Sequence, residues 1–433
     1  MERNRGTALV LTGALLLATT LVASAALAPP RTVSGNGSNE TIVSVQGFRS
    51  PGSVQGLNGS DVTWELQGAD SYFETERLAD GTVAVAFLEE DARECGGFES
   101  PCARTGYRII EPGDGTGGGP AVVDEWSFPV RSGTNSEVHA VDPLPDDGFA
   151  VVDMEYERLL VVEDGEVAWQ WNASELYDAP PDPTTVDWLH INDVDHLGED
   201  RFLVSVRNAN QLVVVERSAG AVEVINEDPG SDDSTCTQRG QLDDYSGDSD
   251  GDVRCGDPAV LNHQHNPHWL GDGAVLVADS DNDRAVELRR TDDGWEPVWV
   301  LESAGDLRFN WPRDADRLPG GNTLVTDTRN ERVLEVDPNG TVVWSVSTEA
   351  VPYEADRVPV GERTGVPSHG ADVDGGPARA DPESGDVPLL SPAVVGLQAV
   401  LPWLPYWVGE LQVFVAAVSL VLVAGGVVIR YRE

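Results

Sequence analysis

Lysine is absent from all 433 residues, and basic residues of any kind are scarce: 28 Lys plus Arg stand against 74 Asp plus Glu, for a formal net charge of −46. That balance excludes nucleic-acid partners, because no basic stripe exists to contact phosphates. Self-repulsion on this scale needs heavy screening. At molar salt the Debye length falls to about 3 Å, and the composition is the one expected of an extreme halophile. Cysteine is nearly absent too. The 4 cysteines show no Cys-x-x-Cys spacing, which excludes a thiolate metal site, and they sit in two insertions. In an exported chain the expected disulfides are Cys95 with Cys102 and Cys236 with Cys255. No metal or cofactor is assigned. A calcium loop at 246–257 is weighed, through Ser246-Gly-Asp248-Ser-Asp250-Gly251 and Asp257, but serine takes the first ligand position and aspartate the usual glutamate's.

Long apolar runs occur only at the two ends. Residues 8–28 carry no charge and follow Arg3 and Arg5; the length suits a bilayer span, and the small residues Ala23 to Ala28 suit a signal-peptidase site. A cleaved signal and a retained anchor both remain open. Residues 408–429 read as a transmembrane helix, with Trp403, Tyr406 and Trp407 at one interface and the cytoplasmic tail 430–433 at the other. Arginines at both ends put both termini in the cytoplasm, unless the signal is cleaved, and the domain between them outside. Residues 29–60 read as a linker with glycosylation acceptors at Asn36, Asn39 and Asn58, joined by Asn172 and Asn339 further on. Residues 370–407 read as a second linker. A monomer is expected.

Between 61 and 369 the chain repeats. Each unit runs from a polar residue to an anchoring leucine five positions later, a Gly-containing turn, an apolar strand, an alternating strand, and Gly-x-Val-x-Trp. The anchors are Leu78, Leu144, Leu197, Leu270 and Leu318. With the insertions removed the period is about 45–55 residues, the length of a four-stranded propeller blade. The expected fold is therefore an all-β propeller of five or six four-stranded blades. Trp126, Trp169, Trp299 and Trp344 read as core spacers between blades. Trp64 marks an N-terminal segment that closes the ring and removes its sheet edges.

Counting five residues back from successive anchors gives His139, Asn192, His265 and Arg313, one group per blade at the channel mouth. His190, His263 and Arg207 fall beside them. Imidazoles and arginines converging in so acidic a chain make an anion site, since arginine binds sulfate or phosphate oxygens through paired hydrogen bonds. A metal site built from His263, His265 and His268 is the weaker alternative, because no carboxylate motif accompanies it.

Asp187-Trp-Leu-His-Ile-Asn192 with Ser205-Val-Arg207, Gln264-His-Asn266 with Asp281-Asn-Asp-Arg284, and Arg317 to Leu324 with Glu335 and Trp344 resemble the arylsulfotransferase family over roughly 135–350. The resemblance implies transfer of a sulfuryl group from an aryl sulfate to a phenol. It requires no nucleotide donor and forms a sulfohistidine. It also implies that His190, His265 and Arg284 bind and polarise the sulfate. The family's nucleophile is a histidine from a later blade, where this chain offers Arg313 and, later still, only His369. From the residues themselves, His265 is the expected nucleophile and His190 the proton donor. Arg284, Arg313 and Arg207 hold the sulfuryl oxygens, and His139, His263 and Asn192 bind substrate. The competing reading is a non-catalytic surface propeller that binds anionic ligands or surface proteins at the same mouth.

Overall fold

The computed structural model describes residues 2–28 and 40–369, except 48–50, 114–117, 146–147, 228–241, 244, 246–252, 272, 293, 306, 349 and 360, with scattered positions between 390 and 409 and the helix at 410–431. Residues 31–380 form one compact unit, a ring of six four-stranded antiparallel sheets with one additional two-stranded sheet. In chain order the blades are blade 1 (71–130), blade 2 (141–172), blade 3 (191–225), blade 4 (265–301) and blade 5 (314–347). Blade 6 joins Pro352–Arg357 as innermost strand to Glu40–Val45, Gly52–Asn58 and Asp61–Ala69. Val43 pairs with Ala355 across that closure. The ring closes as expected, but the domain starts earlier than residue 61. Two strands lie inside the Gly- and Ser-rich stretch expected to be linker, because Ile42, Val43, Val45, Val54 and Leu57 are buried in the cores of blade 6. Burying each such side chain stabilises the fold by about 1.5–3 kcal/mol.

The tryptophans lie on the outermost strands, as spacers should, and three of them carry an arginine over the ring. Arg317 sits 5.0 Å from Trp299, Arg357 4.7 Å from Trp344 and Arg217 6.0 Å from Trp169. Cys95 and Cys102 form the expected disulfide. Cys236 and the 246–252 part of the calcium-like loop lie outside the described residues.

The innermost strands are joined to one another by a complete belt. One side chain on each accepts a backbone N–H from the next blade: Glu74 from Val141, Asp142 from His196, Asp195 from Trp269, His268 from Arg317, Asp314 from Ala355, and Glu354 from Thr75. A hydrogen bond of this kind contributes about 0.5–1.5 kcal/mol net. The belt explains why carboxylates face the channel where apolar residues would leave those N–H groups orphaned.

A second compact unit contains residues 1–30 and 381–433. Its helices, Glu2–Leu27 and Glu410–Tyr431, are both long and apolar enough to cross a membrane. They pack through small residues. A Cβ on Gly6 would lie 2.7 Å from the Gly426 carbonyl oxygen, and one on Gly13 2.8 Å from that of Ser419. Gln412 Nε2 donates to Ser24 Oγ at 2.8 Å.

Candidate active site

A device repeated in consecutive blades delivers side chains to the mouth. His190, His263 and Trp311 each stand two residues before the channel residue of their blade, and all three take left-handed φ, between +54° and +58°. Non-glycine residues occupy that region at a cost of about 1–3 kcal/mol. The preceding blade holds them there. Glu157 accepts the His190 N–H at 2.7 Å, Asn210 the His263 N–H at 3.0 Å, and Asp283 the Trp311 N–H at 2.7 Å. Glu157 also takes the N–H groups of Leu189 and Ile191.

Two imidazole systems result. In the first, His190 Nδ1 lies 2.6 Å from Asp187 and its Nε2 lies 2.6 Å from Arg207 Nη1. Arginine can only donate, so Nε2 holds the lone pair and Nδ1–H points at Asp187. His139 Nε2 sits 3.1 Å from that same Nε2 and 3.0 Å from Glu137, so it carries the proton between them. In the second, His265 Nδ1 lies 2.8 Å from Ser280 Oγ, whose hydroxyl donates to the Pro312 carbonyl at 2.6 Å. Ser280 therefore accepts from Nδ1–H, which leaves the lone pair of His265 on Nε2.

Tyr353 connects the two systems. Its ring stacks on His139 at 5.5 Å and lies 6.2 Å from His265, with the Arg313 guanidinium 5.0 Å away. Phe73 closes the other side of His139 at 4.5 Å. Arg313 also lies 4.3 Å from the Trp311 ring, and His263 stacks 5.8 Å from His265. The cluster is almost sealed: His265 is 1 % exposed and Arg313 5 %.

Burial and positive neighbours set the protonation states. Burial, then Arg313, His263 and Arg207, hold the His265 pKa well below 6.5. Burial and Arg207 do the same for His190, against the opposing pull of Asp187. Burial lowers His139 against the opposing pull of Glu137. Asp187 would be raised by burial, but the His190 and Arg207 contacts outweigh that and keep it ionised. Burial brings Arg313 down to about 9, still a cation at neutral pH. Burial raises Tyr353 well above 10, so its phenol stays a neutral donor, and its buried oxygen has no hydrogen-bond partner among the described residues.

His139, His190, Arg207, His263, His265 and Arg313 lie together at this mouth. Asn192 lies just below, with Nδ2 donating to the Gln264 carbonyl and Oδ1 unpartnered. Arg284 does not join them. Its Nε donates to Asp279 at 2.7 Å and its Nη2 to the carbonyls of Ala259 and Val260, so its donors serve the turn that carries it. Arg332 repeats the arrangement on Asp327 in the next blade. His369 is not a mouth residue either, lying 5.3 Å from Trp299 on the outermost strand of blade 4. His196 Nε2 bonds the Glu199 carbonyl, in a turn, and His268 stands in the belt at the other end of the channel. The sequence reading missed Tyr353, Phe73, Trp311, Asp187 and Glu137. The same five-residue spacing, counted back from Leu78 and Val358, gives Phe73 and Tyr353.

Residues 173–349 match the arylsulfotransferase (ASST) family. No curated protein matches the chain. Among solved structures it is similar to a protein of unknown function from Bacteroides caccae, at 12% identity and TM-score 0.49, covering 74% of this chain and 100% of that one. It is also similar to the periplasmic gluconolactonase of Pseudomonas aeruginosa, at 14% identity and TM-score 0.42, with 74% and 99% covered. A catalytically inactive virginiamycin B lyase from Staphylococcus aureus follows at 11% identity and TM-score 0.37, with 72% and 86% covered. Likenesses at this level carry no argument about chemistry. The family match spans blades 3 to 5 of the six-bladed ring and supports a propeller of the arylsulfotransferase type over that region.

Proposed function

We propose that the mouth transfers a sulfuryl group from an aryl sulfate to a phenol, with His265 as the nucleophile. One observation carries the reading: Arg313 is a buried cation with no salt-bridge partner among the described residues, beside an imidazole whose Nε2 lone pair is free of its tautomeric proton. An uncompensated buried charge costs several kcal/mol, and a bound sulfate ester would offset that cost.

In the first half-reaction the His265 Nε2 lone pair forms a bond to sulfur and the S–O bond to the aryl group breaks. The phenolate departs as the anion, its charge offset by the Arg207 guanidinium and by a hydrogen bond from Nε2–H of His139, while Asp187 and Arg207 fix His190 beside it. In the second half the acceptor phenol loses its proton to solvent, its oxygen bonds to sulfur, and Nε2 of His265 leaves with its lone pair. The sulfuryl oxygens stay negative throughout. Preorganised donors from Arg313, Arg207 and the Tyr353 hydroxyl therefore lower the barrier without reorganising. His139 rather than His190 supplies the hydrogen bond to the leaving oxygen, because Arg207 donates to the His190 Nε2 that would have to carry the proton.

The two apolar helices suit a propeller held outside the membrane, with the arginine-bearing ends inside. The test is incubation at high salt with a chromogenic aryl sulfate and a phenol, followed by trapping of labelled enzyme under alkaline conditions. Acceptor-dependent release with label on His265 supports the proposal. Binding of the ester without release would favour a non-catalytic anion-binding propeller.

A further inference from the structure

The channel has a second polar end. In every blade the residue three positions after the mouth residue reaches the far end of the inner strand: Glu76, Asp142, Asp195, His268, Asp316 and Asp356 follow Phe73, His139, Asn192, His265, Arg313 and Tyr353. A spacing of three would ordinarily reverse the face of a strand. The inner strands of blades 1, 3 and 4 shift register between the two positions, at Tyr72/Thr75, Ile191/Asp193 and His265/His268, and such a bulge lets both side chains face the axis. The segment after the last inner strand adds Glu362.

Glu76, Asp142, Asp195, His268, Trp269 and Glu362 line a cavity of about 290 Å³. Ligating atoms of His268, Asp316 and Glu362 all lie within 4.8 Å of one another. Acidic residues alone would prove little in this chain. The independent observation is that their oxygens are buried without donors. Among the described residues Asp316, 1 % exposed, has no hydrogen-bond donor on Oδ1, its nearest partner being His268 Nδ1 at 3.6 Å, and Asp356, also 1 % exposed, has no side-chain donor on either oxygen. One step nearer the mouth, Asp314 Oδ1 has no donor among the described residues either. The belt engages only one oxygen each of Glu74, Asp195 and Asp314. Buried carboxylates left this way are strongly unfavourable unless paired or coordinated. Arg77 also lines the cavity, yet forms no ion pair with these carboxylates among the described contacts.

We propose that this end of the channel is a calcium site, with Asp316 and Glu362, whose ligating atoms lie within 4.8 Å of each other, at its centre and the carboxylates of Asp195, Asp356 and Glu76 around them. An all-oxygen set from several strands suits a cation that takes 6–8 oxygens at 2.3–2.6 Å in flexible geometry, whereas magnesium keeps several waters and prefers fewer protein ligands. Zinc and copper favour nitrogen ligands, and the one histidine here has both nitrogens engaged. His268 Nδ1 accepts the Arg317 N–H at 3.1 Å, and Nε2–H donates to the Arg363 carbonyl at 3.0 Å. The ion would tie four inner strands to the segment that caps the channel, on the end opposite the histidines.

The test uses the full chain in detergent at high salt, stripped of metal with chelator. Tb³⁺ bound in the cavity is sensitised by excitation of Trp269, and Ca²⁺ displaces it with a stoichiometry of one. Glu362→Gln, on the partly exposed capping segment, and the Asp316→Asn/Asp356→Asn pair each weaken Ca²⁺ binding by at least about tenfold. Circular dichroism verifies that each variant is folded, and Glu362→Gln keeps the test meaningful if the paired variant is not. Absence of Tb³⁺ binding would overturn the proposal. So would unchanged Ca²⁺ affinity in Glu362→Gln and the folded paired variant, or binding that disappears only with Asp248→Asn/Asp250→Asn in the 246–257 loop. None of these outcomes depends on sulfuryl transfer.

Discussion

Replacing Arg313 and Arg317 by the same residue separates a site arginine from a structural one. Both are buried, Arg313 5 % exposed and Arg317 0 %. Arg317 lies 3.3 Å from Glu287, itself fully buried. Arg317→Met therefore leaves an uncompensated carboxylate in the interior and should cost about 3–5 kcal/mol. Arg313→Met strands no carboxylate. It loses two cation–π contacts, worth up to about 2 kcal/mol each when desolvated, and the hydrogen bond to Gln46. It also removes an unpaired buried charge whose desolvation costs several kcal/mol, so the terms nearly cancel. The expected result is a melting temperature within a few degrees of wild type for Arg313→Met and a severe loss for Arg317→Met. Activity follows the opposite order: Arg313→Met should lower kcat by about 10²–10³, the effect of deleting one preorganised oxyanion donor. Thermal unfolding in molar salt, with and without sulfate, supplies the third reading. A ligand at 100 times its Kd stabilises the native state by about 2.7 kcal/mol, whereas the general salting-out effect of sulfate is shared by every variant. Only the shift lost in Arg313→Met reports the site. If Arg313→Met destabilises the fold as much as Arg317→Met and binds sulfate normally, the assignment of the mouth as an anion site is wrong.

Ser280→Ala removes the acceptor that fixes the His265 tautomer, so kcat should fall about 10–100-fold at nearly unchanged KM, while Ser280→Thr, which keeps the hydroxyl, should recover most of it. Because burial holds His265, His190 and His139 below 6.5, the nucleophile stays neutral in mild acid, and kcat/KM should show no loss down to pH 6. The folded state resists protonation of these three groups and the unfolded state does not. Their contribution to stability is therefore complete above about pH 6.5 and declines as pH falls below it, by up to about 1.4 kcal/mol per pH unit per histidine; urea unfolding between pH 5 and 7.5 measures that slope, and a flat profile would contradict the buried-neutral assignment. The close contacts of Gly6 with Gly426 and of Gly13 with Ser419 predict that the N-terminal helix is retained; an intact mass lacking residues 1–28 would refute this.

Much of the ring was legible because its signals are local. Leucine anchors, glycine turns and closing tryptophans all fall within one blade. Blade 6 was legible only in part, because its innermost strand is Pro352-Tyr-Glu-Ala-Asp-Arg357, more than three hundred residues from its partner Glu40–Val45. Polar residues dominate that strand, yet all of it is buried, since an innermost strand faces a channel rather than an apolar core. The histidines and arginines of the mouth stood out because both types are rare here. Arg284 misled because an arginine after Asp-Asn-Asp resembles a ligand-binding group until Arg332 is seen to make the same turn contact. The carboxylate end left no compositional trace: against a background of 74 acidic residues, sequence cannot mark the few that point inward.

The two ends of the channel follow from one property of the repeat. Each inner strand presents two side chains to the axis, three residues apart, and so about 10 Å apart along the strand. The first position carries aromatic rings, imidazoles and a guanidinium, from Phe73 through Tyr353; the second carries carboxylates in five blades and His268 in the sixth. The belt occupies the second level and the one between, and its acceptors must offer a lone pair to the backbone N–H groups of the next blade. A polar acceptor in the channel is thus required by ring closure, before any ligand is considered, and in this chain carboxylates fill most of those places. A chemically useful anion site can then exist only where the belt is absent, at the first level, where the left-handed turns bring His190, His263 and Trp311 across from the neighbouring loops. This accounts for two arginines, Arg207 and Arg313, standing at the mouth in a chain of net charge −46. It also limits what substitution can do. Acid introduced at the first level, for example Asn192→Asp, adds a carboxylate beside His265 and Arg313 without adding a backbone donor for it, and should abolish sulfate binding while leaving the ring intact.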